Sequence, residues 1–207
     1  MTTDTQHSAK QFPENYFVEK YGLSPTHSEV LAATPYFVGD KALDVGCGRG
    51  RNTFYMAQHG FQVDAFDVNP HAIDIVQHII ELEGVDSVRP SVRNLNQNPY
   101  IESSYDVIAC TVVMMFLEPS TIPVLIKEMQ EATLPGGINI IVSAMNTPAH
   151  PMQPDFRFGF AEGELSAYYD GWELLKYNED VGQMHRRDAF GNFVEMQFAT
   201  IIAKKPR

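Results

Sequence analysis

Cysteine, positive charge and long apolar runs are all scarce in this sequence. Two of its 207 residues are cysteine, and 15 Lys and Arg stand against 26 Asp and Glu, which gives a net charge of −11. Two cysteines do not make a disulfide framework, so a reducing, cytoplasmic compartment is expected. Nucleic acids and anionic membrane surfaces bind clustered Lys and Arg, so neither is expected as a partner. No run approaches the ~18 apolar residues that a transmembrane helix needs.

The sequence also lacks a recognisable signal peptide and the usual spacing of metal ligands. Residues 1–10 are polar and contain no apolar segment of the kind that signal peptides have. We expect residues 1–12 to be disordered and residues 13–207 to form a single domain, because a chain of this length favours one core. No Cys-x-x-Cys or His-x-x-x-His pair occurs, so no metal site is predicted.

Short apolar runs alternate with amphipathic segments along the rest of the chain. Apolar runs predict strands at residues 42–45, 61–66, 88–94, 105–113, 138–144, 172–183 and 193–204. Helical periodicity predicts helices at residues 14–21, 27–33, 51–59, 70–83, 118–133 and 162–169. Such strands, flanked by helices, fit a parallel sheet that is covered on both faces. We predict an α/β fold, a Rossmann-like three-layer sandwich whose mostly parallel seven-stranded sheet is closed by a C-terminal antiparallel β-hairpin.

Local signals predict where several of these elements begin and end. Thr26 and Glu29 have the spacing of a capping box, with Thr26 as the N-cap. Asn69 and Pro70 fit the N-cap and first position of a longer helix. Residues 134–137, Leu-Pro-Gly-Gly, are expected to end the helix before the fifth strand. Residues 146–160 are rich in proline, glycine and aromatic residues, which predicts a loop and a candidate lid.

A glycine loop between the first strand and its helix is the most informative motif. Gly46, Gly48 and Gly50 follow the first strand, and Asp67 ends the second strand. Glycines let the backbone approach a ligand closely and point amides at it. A carboxylate at the end of the second strand can accept hydrogen bonds from two ribose hydroxyls. Together these residues predict a cofactor that contains adenosine.

The spacing of the loop narrows the choice of cofactor. Dinucleotide loops have the spacing Gly-x-Gly-x-x-Gly, whereas this loop has Gly-x-Gly-x-Gly, preceded by Asp44. A pyrophosphate gains nothing from a neighbouring anion, but an ammonium group does. S-adenosylmethionine carries an ammonium, a sulfonium and a ribose but no phosphate. The pattern therefore resembles motif I of the Rossmann-like methyltransferases, and it disfavours a nicotinamide oxidoreductase.

Further cofactor-binding candidates lie beside the loop and at the ends of the strands. Arg51 is placed to meet the methionine carboxylate, although a solvated surface arginine fits the pattern nearly as well. Asn94 and Leu95 should flank the adenine, and residues 111–113 should lie below the sulfonium unless they only pack the core. The complete predicted set is Asp44, Gly46, Cys47, Gly48, Arg51, Asp67, Val68, Asn94, Leu95, Thr111 and Val112.

Several longer segments make the sequence similar to one particular family. The most specific are Met-Met-Phe-Leu-Glu at residues 114–118 and Tyr-Asn-Glu-Asp-Val-Gly at residues 177–182. The other matching segments are residues 15–17, 20–21, 26–30, 43–52, 111–113, 162–165, 168–169 and 185–186. In these segments the chain resembles the bacterial tellurite-resistance methyltransferases, the TehB family, from residue 14 to residue 205.

The resemblance implies a reaction and two catalytic residues. Members of this family move the methyl group of S-adenosylmethionine onto tellurite, and related members accept selenite. By resemblance, His185 would take a proton from the oxyanion and Arg186 would hold its oxygens. His185, Arg186 and Arg187 also form the one local positive focus near the predicted active face, although a solvated cluster at the hairpin edge fits them too. Phe193 stands where the family has an arginine.

Other functions remain compatible with the sequence at this point. Asn94 replaces an aspartate of the family pattern, so the expected adenine contact would come from a neutral amide oxygen. The acceptor could be another small soft nucleophile, namely a thiol, a selenol or a thiopurine. The protein could also bind S-adenosylmethionine without catalysis. A substrate screen with labelled cofactor separates these alternatives.

Overall fold

The computed structural model describes residues 12–187 and 191–207, and the side chains of residues 184–187 are not described. Disorder was expected for residues 1–12. Residues 1–11 lie outside the described residues, whereas the ring of Phe12 packs against Tyr16 and Phe17. Residues 188–190 of the predicted hairpin turn lie outside them as well. Across the described ranges, no helix has both the length and the apolar character that crossing a membrane requires.

Seven strands form a single sheet that matches the predicted fold class. They are β1 (Lys41–Val45), β2 (Gln62–Asp67), β3 (Val88–Val92), β4 (Tyr105–Thr111), β5 (Thr133–Ala144), β6 (Glu173–Arg187) and β7 (Phe193–Lys204). Their order across the sheet is β3-β2-β1-β4-β5-β7-β6. Strands β1 to β5 are parallel, and β7 lies antiparallel to both β5 and β6. The predicted parallel sheet with a closing hairpin is confirmed.

Helices cover both faces of this sheet. Those in the described residues are α1 (Tyr16–Tyr21), α2 (Ser28–Ala33), α3 (Arg51–Gln58), α4 (Pro70–Glu83), α5 (Thr121–Ala132) and α6 (Glu164–Tyr168). Buried side chains of α1 to α4 share one core with one face of the sheet, and those of α5 and α6 share a second core with the other face. The helices thus form one layer on each face of the sheet, which gives the predicted three-layer sandwich.

The central strands are apolar because both of their faces are buried. Along β4, Val107 and Ala109 belong to the core under α1 to α4, while Ile108 and Cys110 belong to the core under α5 and α6. All four residues have no exposed surface. The same logic explains α5, whose predicted apolar stripe is fully buried. Its members are Ile122, Leu125, Ile126 and Met129.

The predicted capping box at Thr26 is wrong. The N-cap of α2 is His27, whose Nδ1 accepts a hydrogen bond from the Glu29 N–H at 3.2 Å. The Thr26 hydroxyl instead donates to the carbonyl oxygen of Arg51 at 3.3 Å. This contact ties the segment before α2 to the start of α3, and that tertiary contact outweighs the local capping pattern. The predicted cap of α4 is confirmed, because the Asn69 side chain accepts from the His71 N–H at 3.0 Å.

Several strand boundaries also differ from the prediction. Strand β3 ends at Val92 instead of residue 94, and β6 continues to Arg187 instead of residue 183. Strand β5 begins at Thr133, so residues 134–137 belong to the strand rather than to a helix-ending turn. Backbone bonds between Lys205 and the two glycines of this segment, Gly136 and Gly137, hold the extra strand length in place. Strand β4 ends at Thr111, two residues earlier than predicted, because Val112 has a φ of 62° and leaves the extended conformation.

Candidate active site

A cavity of about 800 Å³ opens at the carboxyl ends of the central strands. Gly46 follows β1, Asp67 ends β2 and Thr111 ends β4, and all three line this cavity. In the sheet, β1 lies between β2 and β4, so the strand order changes direction at β1. Open α/β sheets bind ligands in the crevice at such a switch point. The topology therefore places the cavity where a ligand is expected.

The glycine loop is held in shape by its own hydrogen bonds. The N–H groups of Gly46 and Cys47 donate to the carbonyl oxygen of Phe66, at 2.8 and 3.0 Å. The N–H of Gly48 donates to the carboxylate of Asp67 at 2.9 Å. Dinucleotide loops present such amides to a pyrophosphate. Because these amides already have partners, this part of the loop shapes the cavity and offers no phosphate site.

Two glycines of the loop are required for different reasons. Gly46 has a φ of 71°, and a Cβ at this position would lie 2.3 Å from Cγ2 of Val113. Gly48 has a φ of 53°, and a Cβ there would meet no atom within 4 Å. Gly46 therefore allows the close approach of the segment after β4, whereas a side chain on Gly48 would take open space beside the cavity.

Asp67 is oriented by two backbone donors. Its Oδ1 accepts from the Asn69 N–H and its Oδ2 accepts from the Gly48 N–H, both at 2.9 Å. A carboxylate has about four lone-pair sites, so each oxygen keeps capacity for one more donor. The carboxylate is thus fixed in place with two acceptor positions left for a ligand. Val68, the next residue, is 63% exposed at the rim of the cavity.

Asp44 lies beneath the loop and does not line the cavity. Its side chain is buried, and its Oδ2 accepts a hydrogen bond from the Thr53 hydroxyl at 2.6 Å. Burial raises the pKa of Asp44 to about 6, although the Thr53 hydrogen bond and the charge of Arg51 act in the opposite direction. Asp44 would therefore act on a ligand in the cavity through its buried negative charge and not through a direct contact.

Arg51 lies between two cavities and lines both of them. Its guanidinium is half-buried, and this burial lowers its pKa while the charge of Asp44 opposes the shift. Arginine stays protonated under such perturbation, so Arg51 is a fixed positive charge at the junction.

A strained residue marks the end of β4. Val112 is the one residue other than glycine with a positive φ in the described residues, and left-handed backbone is strongly disfavoured for a β-branched side chain. Its N–H donates to the Val142 carbonyl oxygen at 2.7 Å. Beside it, the amide of Asn52 donates to the Thr111 hydroxyl at 3.0 Å and accepts from the His27 N–H at 3.0 Å. Backbone strain of this kind is concentrated at functional sites.

A second cavity, of about 730 Å³, adjoins the first and shares Arg51, Val112 and Phe116 with it. The start of α2 and the inner part of β6 provide most of its polar lining, including an ion pair of 2.6 Å between Lys176 and Glu29. Its apolar lining includes Met115, Phe116, Val142, Phe156, Met196 and Phe198. The two cavities together offer room for two ligands that meet at Val112.

The structure brings the predicted cofactor residues together with one exception. All of them except Asp44 line the first cavity: Gly46, Cys47, Gly48, Arg51, Asp67, Val68, Asn94, Leu95, Thr111 and Val112. The Asn94 amide oxygen also accepts from the Asn96 N–H at 3.0 Å. Burial raises the pKa of the Cys47 thiol, so this cysteine is a packed lining residue and not a nucleophile.

The predicted catalytic pair lies on the last part of β6. The backbones of His185 and Arg186 belong to this strand, two and three residues beyond Gln183, which lines the second cavity. Their side chains lie outside the described part of the chain, so their roles stay predictions. Phe193 begins β7, pairs in register with Arg187 and is 40% exposed.

Several cavity residues were not predicted from the sequence. Arg93 stacks its guanidinium over the Phe66 ring at 4.6 Å. Arg157 forms an ion pair with Glu118, and its N–H donates to the Met115 carbonyl oxygen at 2.9 Å. The loop at residues 146–160 thereby reaches the rims of both cavities, as a lid would. Such contacts join distant segments, so no local pattern in the sequence could have indicated them.

Comparison with known proteins agrees with this geometry. The model of the family "Tellurite resistance protein TehB" matches residues 10–202. The "Probable S-adenosyl-L-methionine-dependent methyltransferase TehB" of Haemophilus influenzae (strain 10810) is 41% identical over 192 residues, which is 93% of this chain and 66% of the relative. "Hemagglutinin 1" of Eikenella corrodens is also 41% identical over 192 residues, covering 93% of this chain and 63% of that protein.

A solved structure gives the same result. The crystal structure of TehB from Haemophilus influenzae superimposes with a TM-score of 0.88 at 40% identity, and covers 93% of this chain and 66% of that one. The chain therefore spans about two thirds of the length of the relatives that it matches. These matches confirm the predicted family and the predicted fold: this chain belongs to the TehB family.

Proposed function

We propose that this chain transfers the methyl group of S-adenosylmethionine to a small oxyanion acceptor, tellurite or selenite, and so contributes to tellurite detoxification. The observation that carries this proposal is the pair of adjoining cavities that share Arg51, Val112 and Phe116. Methyl transfer needs one site for the cofactor and one for the acceptor, joined where the methyl group passes. The relatives named as S-adenosylmethionine-dependent methyltransferases support the same reaction.

The first cavity suits the nucleoside end of S-adenosylmethionine. The two free acceptor positions of the Asp67 carboxylate match two ribose hydroxyls, since its other lone pairs already hold the loop. Asn94 and Leu95 line the same cavity and would flank the adenine. Because the amides of Gly46, Cys47 and Gly48 are engaged, a pyrophosphate would lack its usual donors. This disfavours a nicotinamide oxidoreductase.

The charges around the loop suit the methionine end of the cofactor. Arg51 provides a half-buried positive charge for the carboxylate, and the buried Asp44 favours the ammonium from beneath the loop. Thr111 and Val112 would then lie near the sulfonium, at the opening into the second cavity. In this orientation the methyl group points towards the acceptor.

The second cavity is the proposed acceptor site. When bound, S-adenosylmethionine would supply an electrophilic methyl group. A lone pair of the chalcogen would form the new bond to this carbon while sulfur keeps the electrons of the broken carbon–sulfur bond, which would leave S-adenosylhomocysteine. By family resemblance, Arg186 would hold the acceptor oxygens and His185 would take the proton that a monoanionic acceptor releases. The protein contributes mainly alignment and the exclusion of water. We propose that the methyl transfer takes place in the cytoplasm and that it involves neither a nucleic acid nor a membrane.

The lining of the second cavity also favours a second class of acceptor. Its apolar side includes two thioethers and three aromatic rings, from Met115, Met196, Phe116, Phe156 and Phe198. A bare oxyanion makes no use of such surface, whereas the apolar body of an organic thiol, selenol or thiopurine would be buried against it. This observation keeps an organic nucleophile as the alternative acceptor.

A panel of acceptors with methyl-labelled S-adenosylmethionine separates the two classes. Tellurite, selenite, an aliphatic thiol, a selenol and a thiopurine are compared at equal concentration by transfer of the label. The proposal expects the highest kcat/KM with an oxyanion. A higher kcat/KM with any organic nucleophile would replace the oxyanion by that class. Cofactor binding without transfer to any acceptor would indicate a non-catalytic binding protein.

A further inference from the structure

His27 is held in one orientation by two hydrogen bonds. Its backbone N–H donates to the Asn52 side chain at 3.0 Å, and its ring Nδ1 accepts from the Glu29 N–H at 3.2 Å. Because Nδ1 accepts a hydrogen bond from the Glu29 N–H, it carries no proton itself. The proton of the neutral imidazole is therefore on Nε2.

The side of the second cavity that α2 provides includes His27. His27 lines that cavity, as do Arg51 and Lys176. Among the atoms that the structure describes, which leave out the side chains of residues 184–187, Nδ1 is the ring atom that takes part in a hydrogen bond, and Nε2–H has no protein partner. A half-buried donor of this kind is completed by a ligand or by water.

The surroundings keep the ring neutral. Burial and the positive charges of Arg51 and Lys176, opposed by Glu29, together lower the pKa of His27 to about 4. Near neutral pH the ring thus has one N–H donor and no free lone pair. It can donate a hydrogen bond to a ligand but cannot act as a base.

We propose that His27 binds the methyl acceptor by donating a hydrogen bond from Nε2 to one of the oxygens of that acceptor. This inference rests on the proposed function and adds a residue to the acceptor site. Asn52 connects the His27 backbone to Thr111, which lines the cofactor cavity. The position of the acceptor is thereby coupled to the end of β4, where the methyl group would be transferred. His27 is an acceptor-binding residue that is distinct from the predicted base, His185.

Two substitutions separate binding from capping. In His27→Asn, the side-chain oxygen takes the place of Nδ1 and keeps the cap of α2, but the shorter side chain places no donor at the position of Nε2. In His27→Gln, the amide nitrogen takes the place of Nε2 and keeps the donor, but the cap is lost. Tellurite is titrated into each protein saturated with S-adenosylhomocysteine, and KM for tellurite, the melting temperature and the Kd for S-adenosylmethionine are measured as well.

The two roles predict opposite orders for these variants. If His27 binds the acceptor, His27→Asn raises the Kd and KM for tellurite about tenfold, which corresponds to ~1.4 kcal/mol. The Kd and KM of His27→Gln for tellurite then stay within about threefold of the wild-type values, but this variant melts at a lower temperature. The Kd for S-adenosylmethionine does not change in either variant. If His27→Asn matches wild type, or if His27→Gln has the larger effect on tellurite, His27 only caps the helix. Wild-type protein that neither binds nor methylates tellurite would overturn the proposed function and this inference together, whereas wild-type Kd and KM values for tellurite in His27→Asn would overturn this inference alone.

Discussion

The replacement Gly46→Ala tests how closely the glycine loop is packed against the end of β4. Alanine at a φ of 71° takes on the left-handed conformation, which costs about 1–2 kcal/mol. The new methyl group would lie 2.3 Å from Cγ2 and 3.0 Å from Cγ1 of Val113, and such overpacking costs a further ~1–3 kcal/mol. We therefore expect Gly46→Ala to lower the free energy of unfolding by about 2–5 kcal/mol, a large share of the ~5–15 kcal/mol that is usual for a domain.

A double-mutant cycle in urea isolates the steric part of this cost. Val113→Ala removes both γ-carbons that the new methyl group meets, so the two substitutions together should be less destabilising than the sum of the single ones. We expect a coupling of about 1–3 kcal/mol in favour of the double mutant. The free-energy cost of placing alanine in left-handed backbone at position 46 should remain in the double mutant.

Gly48→Ala is the matched control. Its φ of 53° brings a similar backbone cost, but its Cβ meets no atom within 4 Å. It should lower the free energy of unfolding by only ~1–2 kcal/mol, while its methyl group takes space beside the cofactor cavity and weakens S-adenosylmethionine binding. A Gly46→Ala protein as stable as Gly48→Ala, or a cycle with no coupling, would refute the packing described here.

Four further predictions concern the cofactor and the acceptor. Asp67→Ala should weaken S-adenosylmethionine binding by about 1.5–3 kcal/mol in calorimetry, as loss of hydrogen bonds to a charged group does, and unchanged affinity would exclude the ribose role. Burial raises the pKa of Asp44 to about 6, so the free protein loses stability as pH rises through that pKa and the carboxylate ionises. A cationic cofactor favours the ionised form, so S-adenosylmethionine affinity should rise through the same pH range, and Asp44→Asn should remove that rise. By family resemblance, His185→Ala should lower kcat by ~10²–10⁴ and Arg186→Ala should mainly raise the KM for the acceptor, and wild-type kinetics in both would favour an organic nucleophile. Phe193→Arg should lower the KM for tellurite, and an unchanged KM would show that this position does not contact the acceptor.

The fold was predictable because strong local patterns agree with it. The apolar stripe from Ile122 to Met129 predicted α5, and the Asn69-Pro70 pair predicted the start of α4. The apolar run at residues 105–113 predicted a strand of a parallel sheet that is covered on both faces, as β4 is. The errors arose where tertiary contacts override local signals. His27 replaces Thr26 as the cap of α2 because Thr26 is bonded to Arg51.

The candidate site was predictable only in part. The loop from Gly46 to Gly50 and the carboxylate of Asp67 are local motifs, so they could be found from spacing alone. The left-handed backbone of Val112 could not, because valine disfavours it and only the packed structure imposes it. The second cavity could not be predicted from the sequence either, because its lining comes from the start of α2, the end of β4 and the final hairpin, which are far apart in the chain. Sequence reasoning therefore indicated the cofactor better than the geometry of the acceptor site.

Production of S-adenosylhomocysteine by the purified protein tests the central claim most directly. The protein is incubated with S-adenosylmethionine, with and without tellurite, and S-adenosylhomocysteine is quantified over time. Our account predicts formation that depends on tellurite, saturates with its concentration and is reduced in Asp67→Ala when S-adenosylmethionine is below saturation, because cofactor binding is weakened. Cofactor binding without any tellurite-dependent S-adenosylhomocysteine would contradict the account.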